Sequence, residues 1–341
     1  MVTSSARGLL DWRWCALLLV LLLGWLAAAL CAVVVGAVPI GPEALREALV
    51  AGPVGQPQGA AAIVWQIRLP RVVMGTLAGA GLAIAGAAWQ GVLRNPLADP
   101  YLVGASAGAA VGAAAALLFG VGGGTSLALP LLAFAGSLAA VGVVYRLAAE
   151  PGRPLAIERL LLAGVAVSSL LSAVLSLLML LRQDAFPQLY LWLIGGLGGR
   201  GWEHVALLAG YGGVAVLGLW WWVPRLNLLQ LGDQTARSLG VDHRRDPQIL
   251  VGLAALLTAA VVSVCGMIGF LGLVVPHLAR LLAGPDMRRS LPVSALLGAT
   301  LLTLGDCAAR TLWAPVEIPV GVLTALLGAP FFLFLLARRG A

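Results

Sequence analysis

Side chains that could carry out catalysis are few in this chain and are scattered along it. The three histidines form no pair at i, i+4, and the four cysteines lie in or at the end of apolar runs without C-x-x-C spacing. No pair of carboxylates and no Ser–His combination falls where its members could meet. The sequence therefore predicts neither a metal site nor an enzyme active site. A nucleic-acid surface is not expected either, because aromatic residues do not alternate with the basic ones.

The chain contains no lysine, and all 21 of its basic residues are arginine. A P-loop, G-x-x-x-x-G-K-[ST], needs a lysine to reach the phosphates of a nucleotide, so this chain cannot form one. If ATP drives the protein, a separate subunit must bind the ATP and Mg²⁺ and hydrolyse the nucleotide. No cofactor is expected on the chain itself.

Arg68 and Arg71 flank a Leu-Pro pair at the start of an apolar stretch. Proline suits the first turn of a helix, so the sequence predicts a helix start here. Two arginines at a helix start oppose the helix dipole. They serve either an acidic partner or substrate, or they are an ordinary pair in contact with solvent or lipid headgroups.

Asp306 and Arg310 lie at i, i+4 near the end of another apolar stretch. This spacing predicts a local salt bridge on one helix face. An acid within a membrane can also mark a proton pathway, which is the alternative interpretation of Asp306.

Two apolar stretches carry a stripe of polar or small residues on one helical face. The first stripe is Ser168, Ser172 and Ser176, with Ser169 beside them, and the second is Gly321, Thr324 and Gly328. Such stripes either line a wet pathway or allow helices to approach closely. Serine bonding to its own helix is the third possibility. A Gly-x-x-x-Gly series at 104, 108 and 112 favours close packing.

The segment at about 225–246 is polar overall but contains a short helical pattern. Asp233 is predicted to cap a helix over 234–239, and Gly240 is placed to terminate it. Apolar residues surround this helix outside the membrane stretches: Leu228, Leu229, Leu231, Leu239 and Val241. An apolar surface in such a place indicates a protein partner, with a helix lying on the membrane as the alternative.

The elements that must hold these residues are membrane-spanning helices. The chain is 61% hydrophobic and only 10% charged, whereas soluble domains carry about 25% charged residues. Intervals without charged residues cover 14–42, 72–93, 100–145, 160–181, 204–224, 247–279, 290–305 and 318–337. Two of them are too long for one helix of about 20 residues. They are predicted to break at 120–126 and near 266–272, where glycine accumulates.

Arginine distribution predicts the number of spans. With ten spans, 15 arginines lie on the side of the termini and 6 on the other, whereas a single crossing at 247–279 makes the division 11 to 10. Only ten spans satisfy the positive-inside rule, with both termini in the cytoplasm. We therefore expect an all-α integral membrane protein that is a single domain over 1–341.

Several motifs resemble the FecCD-type permeases, the membrane subunits of type II ABC importers for cobalamin, ferric siderophores and haem. The resemblance runs from Arg68 to Arg338. It rests on RLPR at 68–71, NPLADP at 95–100, LGD at 231–233, SLGV at 238–241, GFLGLVVPH at 269–277, IPVG at 318–321 and GAPFF at 328–332.

The resemblance implies a multi-pass homodimer in the bacterial inner membrane, with two cytoplasmic ATPase subunits and a periplasmic solute-binding protein. Spans two to five and seven to ten would be inverted repeats. Arg68, Arg71 and Arg310 match positions that receive acidic residues of the binding protein. The match to the ATPase-coupling helices covers Leu231, Gly232, Asp233, Ala236, Leu239, Gly240 and Val241. The two stripes match pathway-lining helices.

Among the family's substrates, the chain most resembles haem permeases, with ferric siderophore and then cobalamin as alternatives. A different class of function is a proton-coupled secondary transporter that uses Asp306 as its carrier. One acid beside an arginine is a poor proton relay, and the apolar loop would then lack a purpose. The resemblance therefore favours ATP-driven import of a metal chelate.

Overall fold

A computed structural model of the chain describes residues 12–52, 58–120, 127–150, 155–242 and 244–339. Within these ranges every regular element is helical. The helices are α1 (Trp12–Val34), α2 (Pro42–Ala51), α3 (Gly59–Val92), α4 (Ala105–Leu118), α5 (Ala128–Ala148), α6 (Ile157–Leu181), α7 (Phe186–Leu193), α8 (Trp202–Leu229), α9 (Asp233–Ser238), α10 (Arg245–Cys265), α11 (Leu271–Ala283), α12 (Met287–Ala309) and α13 (Val320–Arg339).

Seven of the described helices are long and apolar enough to cross a membrane: α1, α3, α5, α6, α8, α10 and α12. Three further helices, α4, α11 and α13, contain shorter apolar stretches. The chain is therefore a multi-pass membrane protein. Both predicted breaks are confirmed, since 100–145 contains α4 and most of α5, and 247–279 contains most of α10 and of α11. Of the predicted turn at 120–126, residues 121–126 lie outside the described residues.

Helix α3 lies at the centre of the bundle, and 78% of the residues in its most apolar 18-residue stretch are buried. Glycine allows this packing. A Cβ atom on Gly79 would overlap the carbonyl of Gly298 in α12, and one on Gly86 would overlap that of Gly272 in α11. The backbones of α3, α11 and α12 are therefore in direct contact, as is common where small residues line membrane helices.

Close packing predicted from the glycine series in α4 is confirmed at two of its three positions. A Cβ atom on Gly108 would overlap the backbone of Gly136, and one on Gly112 would overlap that of Leu132, both in α5. Gly104 instead precedes α4 with φ +84°, so it acts at the start of the helix.

Pro70 lies in the first turn of the α-helical segment Leu69–Val92, as predicted, but the chain is already helical before this segment. Helix α3 begins eleven residues earlier at Gly59 and passes through a π-helical segment, Ile63–Arg68, immediately before Leu69 and Pro70. Proline lacks an N–H and crowds the carbonyl one turn before it, and the wider π-helical turn accommodates both effects without ending the helix. Arg68 and Arg71 consequently lie within a continuous helix.

Helix α6 lies at the edge of the bundle. Only 6% of the residues in its most apolar 18-residue stretch are buried. One side of α6, with the buried residues Leu160 and Val167, packs on α4 and α5, and Gly164 lies against the backbone of Leu102 and Val103 before α4. Much of the rest of its surface, including Ser169, Ser172 and Ser176, is exposed among the described residues.

Candidate functional site

Arg71 lies at the centre of a buried ionic cluster at one end of the bundle. Its Nε donates to both oxygens of Asp306 at 2.8 and 3.0 Å, and its Nη2 donates to Asp306 Oδ1 at 2.9 Å. Its Nη1 donates to Glu317 at 2.9 Å. Asp306 is buried, whereas the carboxylate of Glu317 is partly exposed. The guanidinium therefore joins α3, α12 and the segment that follows α12.

The predicted local salt bridge between Asp306 and Arg310 is wrong. Asp306 pairs with Arg71, and Arg310 donates through Nη2 to the carbonyl of Ala32 in α1. The spacing i, i+4 permits a contact on one helix face, but the buried Arg71 offers Asp306 a bidentate partner.

Arg68 also serves the end of α1. Its Nη1 donates to the carbonyls of Val33 and Val34 at 2.7 Å, and its Nη2 donates to the carbonyl of Val38. The last carbonyls of a helix have no partner within the helix, and a positive charge there complements the helix dipole. Arg68 and Arg310 thus cap α1 from two other elements.

All three of these arginines are buried. The exposed fraction is 2% for Arg68, 7% for Arg71 and 4% for Arg310. Their contact with acidic residues of a binding protein stays a prediction, and it would require existing bonds to open. For Arg71, the bond to the partly exposed Glu317 is the accessible one.

The opposite end of the bundle carries α9. Gly240 follows it with φ +82°, and two hydrogen bonds form the turn, from Gly240 N to Arg237 O and from Val241 N to Ala236 O, both at 3.0 Å. This is the Schellman arrangement, so the predicted role of Gly240 as terminator is confirmed.

The predicted cap at Asp233 is wrong. Helix α9 begins at Asp233, and Gly232 stands at the cap position with φ +95° and no side-chain bond. Asp233 instead pairs with Arg94 just beyond α3, with 3.0 Å between Oδ2 and Nη2. The carboxylate of Asp233 therefore pairs with the guanidinium of Arg94 instead of a backbone N–H group of α9.

The apolar surface around α9 is smaller than predicted. Leu229, Ala236 and Val241 are buried in the core of the bundle, and Leu228 is partly buried. Leu231 and Leu239 are exposed. Of the residues predicted to contact an ATPase, these two leucines present an apolar surface, while Ala236 and Val241 hold α9 against the bundle.

An open cleft of about 840 Å³ lies along the exposed side of α6. Its lining residues come from three segments: Asp99, Tyr101, Leu102 and Ser106, then Val165, Ser168, Ser169 and Ser172, then Gly269 and Phe270. Three of the four predicted serines are among them, while Ser176 is exposed beyond the cleft. Ser169 and Ser176 also donate to the carbonyls of Val165 and Ser172 in their own helix, at 2.9 Å.

The inner wall of the cleft is held by Tyr101. Its hydroxyl donates to the carbonyl of Ile268 at 3.0 Å and accepts from the N–H of Ile268 at 3.1 Å. Asp99 accepts from the N–H of Tyr101 at 2.9 Å, and burial raises the pKa of Asp99 above its usual range. Phe270, between α10 and α11, has φ +65°, which is unusual for a bulky side chain.

The stripe on α13 packs instead of lining the cleft. A Cβ atom on Gly321 would overlap the carbonyl of Ile194, and one on Gly328 would overlap the side chain of Phe270. Thr324 donates to the carbonyl of Gly321 at 3.0 Å. The two glycines therefore allow α13 to lie close to the segments that border the cleft.

Sequence reasoning missed Glu317, Tyr101 and Phe270. Glu317 is the only acid between Asp306 and the end of the chain, which was a usable signal for a partner of a buried arginine. Tyr101 directly follows the NPLADP motif, and Phe270 lies in a glycine-flanked break. Neither position has a spacing that predicts its contacts.

Comparison with known proteins identifies the group to which this arrangement belongs. The sequence profile of the FecCD transport family matches residues 17–338. The chain belongs to the FecCD transport family. Its members of known name are permeases of ABC transporters, so the chain is a membrane component of an importer and not an enzyme.

Relatives in the FecCD family carry names with different substrates. The chain is 47% identical over 289 residues to the cobalamin import permease BtuC of Halobacterium salinarum, covering 84% of this chain and 76% of that one. It is 44% identical over 282 residues to the hemin transport permease HmuU of Yersinia pestis, covering 81% and 84%. It is 40% identical over 318 residues to the Fe(3+)-citrate import permease YfmE of Bacillus subtilis, covering 92% and 95%.

A solved structure has the same fold. It is described as an inward-facing conformation of a metal-chelate type ABC transporter. The TM-score is 0.82 at 31% identity, with 94% of this chain and 98% of the other covered. The FecCD family membership implies that ATPase and binding-protein subunits work with this chain.

Proposed function

We propose that this chain is the permease of an ATP-driven importer that moves a metal chelate from a periplasmic binding protein into the cytoplasm by alternating access. The observation that carries the proposal is α9, a short helix beyond the end of the bundle that Gly240 terminates, with Leu231 and Leu239 exposed on either side of it. Exposed leucines on a short, well-terminated helix suit a groove on a partner protein.

The proposed topology has ten spans, with both termini and α9 in the cytoplasm. The arginine distribution supports it, together with the seven long apolar helices and the three shorter ones. The chain would be one domain over 1–341 in a bacterial inner membrane, with spans two to five and seven to ten as inverted repeats.

The proposed assembly is a homodimer with two ATPase subunits and one binding protein. The poorly buried surface of α6, with its exposed serines, supports a second copy facing it across a pathway. Ser168, Ser169, Ser172 and Ser176 would line that pathway, and Gly321, Thr324 and Gly328 would border it from α13. ATP and Mg²⁺ would be bound by the ATPase subunits.

The proposed roles of the remaining residues follow the family match. Leu231 and Leu239 would contact the ATPase, while Gly232, Asp233, Ala236, Gly240 and Val241 would hold α9 in place. Arg71 would receive an acidic residue of the binding protein in exchange for Glu317, with Arg68 and Arg310 nearby.

Haem is our first choice of chelate, with ferric siderophore and cobalamin as alternatives. The identity is 47% to the cobalamin permease, 44% to the hemin permease and 40% to the Fe(3+)-citrate permease, so it supports the chelate class and does not single out one member. Absorption spectra of the cognate binding protein, purified with hemin, ferrichrome or cyanocobalamin, would identify the chelate that it binds.

Uptake into proteoliposomes tests the driving force. The permease is reconstituted with its ATPase subunits, the binding protein and hemin, with ferrichrome and cyanocobalamin in parallel. Uptake of one of these chelates should require enclosed ATP and continue after an uncoupler collapses the proton gradient. Uptake that an uncoupler abolishes while ATP is held constant would support a proton-coupled transporter instead.

A further inference from the structure

The end of α3 has an arginine where helices usually have glycine. The N–H of Asn95 donates to the carbonyl of Gln90 at 3.1 Å, which closes the helix, and Arg94 takes the left-handed position with φ +48°. An L residue is strained in this position because its Cβ crowds the following carbonyl. Helix α9 ends in the same kind of turn, with Gly240 in the left-handed position. Glycine therefore serves where no side chain is needed at the turn, in contrast to Arg94.

The side chain of Arg94 reaches α9. Its Nη2 lies 3.0 Å from Asp233 Oδ2, across 139 positions of sequence. The side chains of Arg94 and Asp233 are 32% and 51% exposed, so their attraction adds little to stability. A strained backbone with a weak stabilising contact is typical of a functional position.

The segment after Arg94 leads directly to the cleft. Asn95 Oδ1 accepts from Leu97 N, and Asp99 Oδ1 accepts from Tyr101 N, both at 2.9 Å. Tyr101 then holds Ile268 through two hydrogen bonds, in the break between α10 and α11. These turns connect the Arg94 backbone to the cleft wall within seven residues.

We propose that Arg94 and Asp233 are positioning residues, whose ion pair transfers displacement of α9 to the 95–101 segment at the cleft. This inference rests on the proposed function, in which α9 contacts the ATPase. The left-handed backbone aims the Arg94 side chain at α9, and the hydrogen-bonded turns carry the displacement to Tyr101. A demonstrated coupling between the two residues is the physical test of such a link.

Hydrogen–deuterium exchange tests the link without requiring a chelate. The permease–ATPase complex is compared without nucleotide and with ATP and vanadate. In the wild type, nucleotide should change exchange both at 233–240 and at 95–101. In Arg94→Ala or Asp233→Ala, the change at 233–240 should persist, whereas the change at 95–101 should fall about five-fold or more. The double variant Arg94→Asp with Asp233→Arg exchanges the two charges. It should restore the nucleotide-dependent change at 95–101 to within about two-fold of the wild-type value.

Arg94→Gly separates positioning from stability. It relieves the left-handed strain, so the thermal midpoint should rise or stay unchanged while the response at 95–101 is lost. Asp184→Ala is the matched control, because it removes an exposed ion pair with Arg182 of the same 3.0 Å length elsewhere in the chain. It should leave the response at 95–101 unchanged.

Three outcomes would overturn the inference. They are an unchanged response at 95–101 in the single variants, the absence of rescue by the exchanged pair, and loss of the ATPase subunits from Arg94→Ala, which would make the pair a docking contact. Failure of the wild-type permease to retain ATPase subunits would instead contradict the proposed function.

Discussion

Arg71 and Asp306 form a buried, bidentate ion pair between helices α3 and α12, although 235 positions separate them in sequence. Glu317 adds a second carboxylate on the exposed side of the same guanidinium. The pair fixes one end of the α3–α12 contact, and the glycines near the middle of these helices fix their separation.

Asp306→Asn should destabilise the folded subunit by about 3 kcal/mol, because it leaves the buried charge of Arg71 with only the partly exposed Glu317. The thermal midpoint in detergent, followed by size-exclusion chromatography, measures the change. Asp184→Asn, which alters an exposed pair, is the control and should leave the midpoint unchanged. Equal midpoints for the two variants would contradict the structural role of Asp306.

Gly79→Ala should destabilise the subunit by about 2 kcal/mol or more, since the new methyl group overlaps the carbonyl of Gly298 and forces α3 and α12 apart. Gly142→Ala in α5 is the matched control, because an added Cβ there meets no atom within 4 Å. It should be neutral or slightly stabilising, as alanine favours helix over glycine. Thermal midpoints of both variants decide the question.

Leu239→Asp should leave the subunit folded and in the membrane while it fails to retain the ATPase on affinity purification. The introduced charge would lose its water at the interface without gaining a partner. Leu49→Asp in α2 is the control, since Leu49 and Leu239 are exposed to a similar degree, 49% and 53%. Normal co-purification of the ATPase with Leu239→Asp would contradict the assignment of α9.

Arg68→Lys should loosen the end of α1. A single ammonium cannot reproduce the planar fork that serves the carbonyls of Val33, Val34 and Val38, and each lost bond to a charged group weakens the fold by about 1.5–3 kcal/mol. Limited proteolysis of the 35–41 segment should accelerate. Arg46→Lys, at an exposed position on α2, should cleave at the wild-type rate. Equal cleavage rates would show that Arg68 does not hold this segment.

Much of the fold could be predicted because helical periodicity and apolar length are local properties. The breaks at 120–126 and 266–272 and the terminator Gly240 each depend on a few adjacent residues. The contacts of Asp306, Arg68 and Arg310 could not be predicted, because each depends on which helices become neighbours. The place of Pro70 in the first turn of Leu69–Val92 could also be predicted, whereas the helical residues before it could not, since a π-helical turn admits proline without ending the helix.

The glycine contact between α3 and α12 restricts how these helices can move. Sliding by about one turn, roughly 5.4 Å, in one direction would bring Ala83 opposite the Gly298 carbonyl in place of Gly79, where no Cβ fits. Rotation about the contact point keeps Gly79 and Gly298 together and is sterically permitted. The glycine contact therefore favours tilting of α3 and α12 about this point over sliding of α3 in that direction.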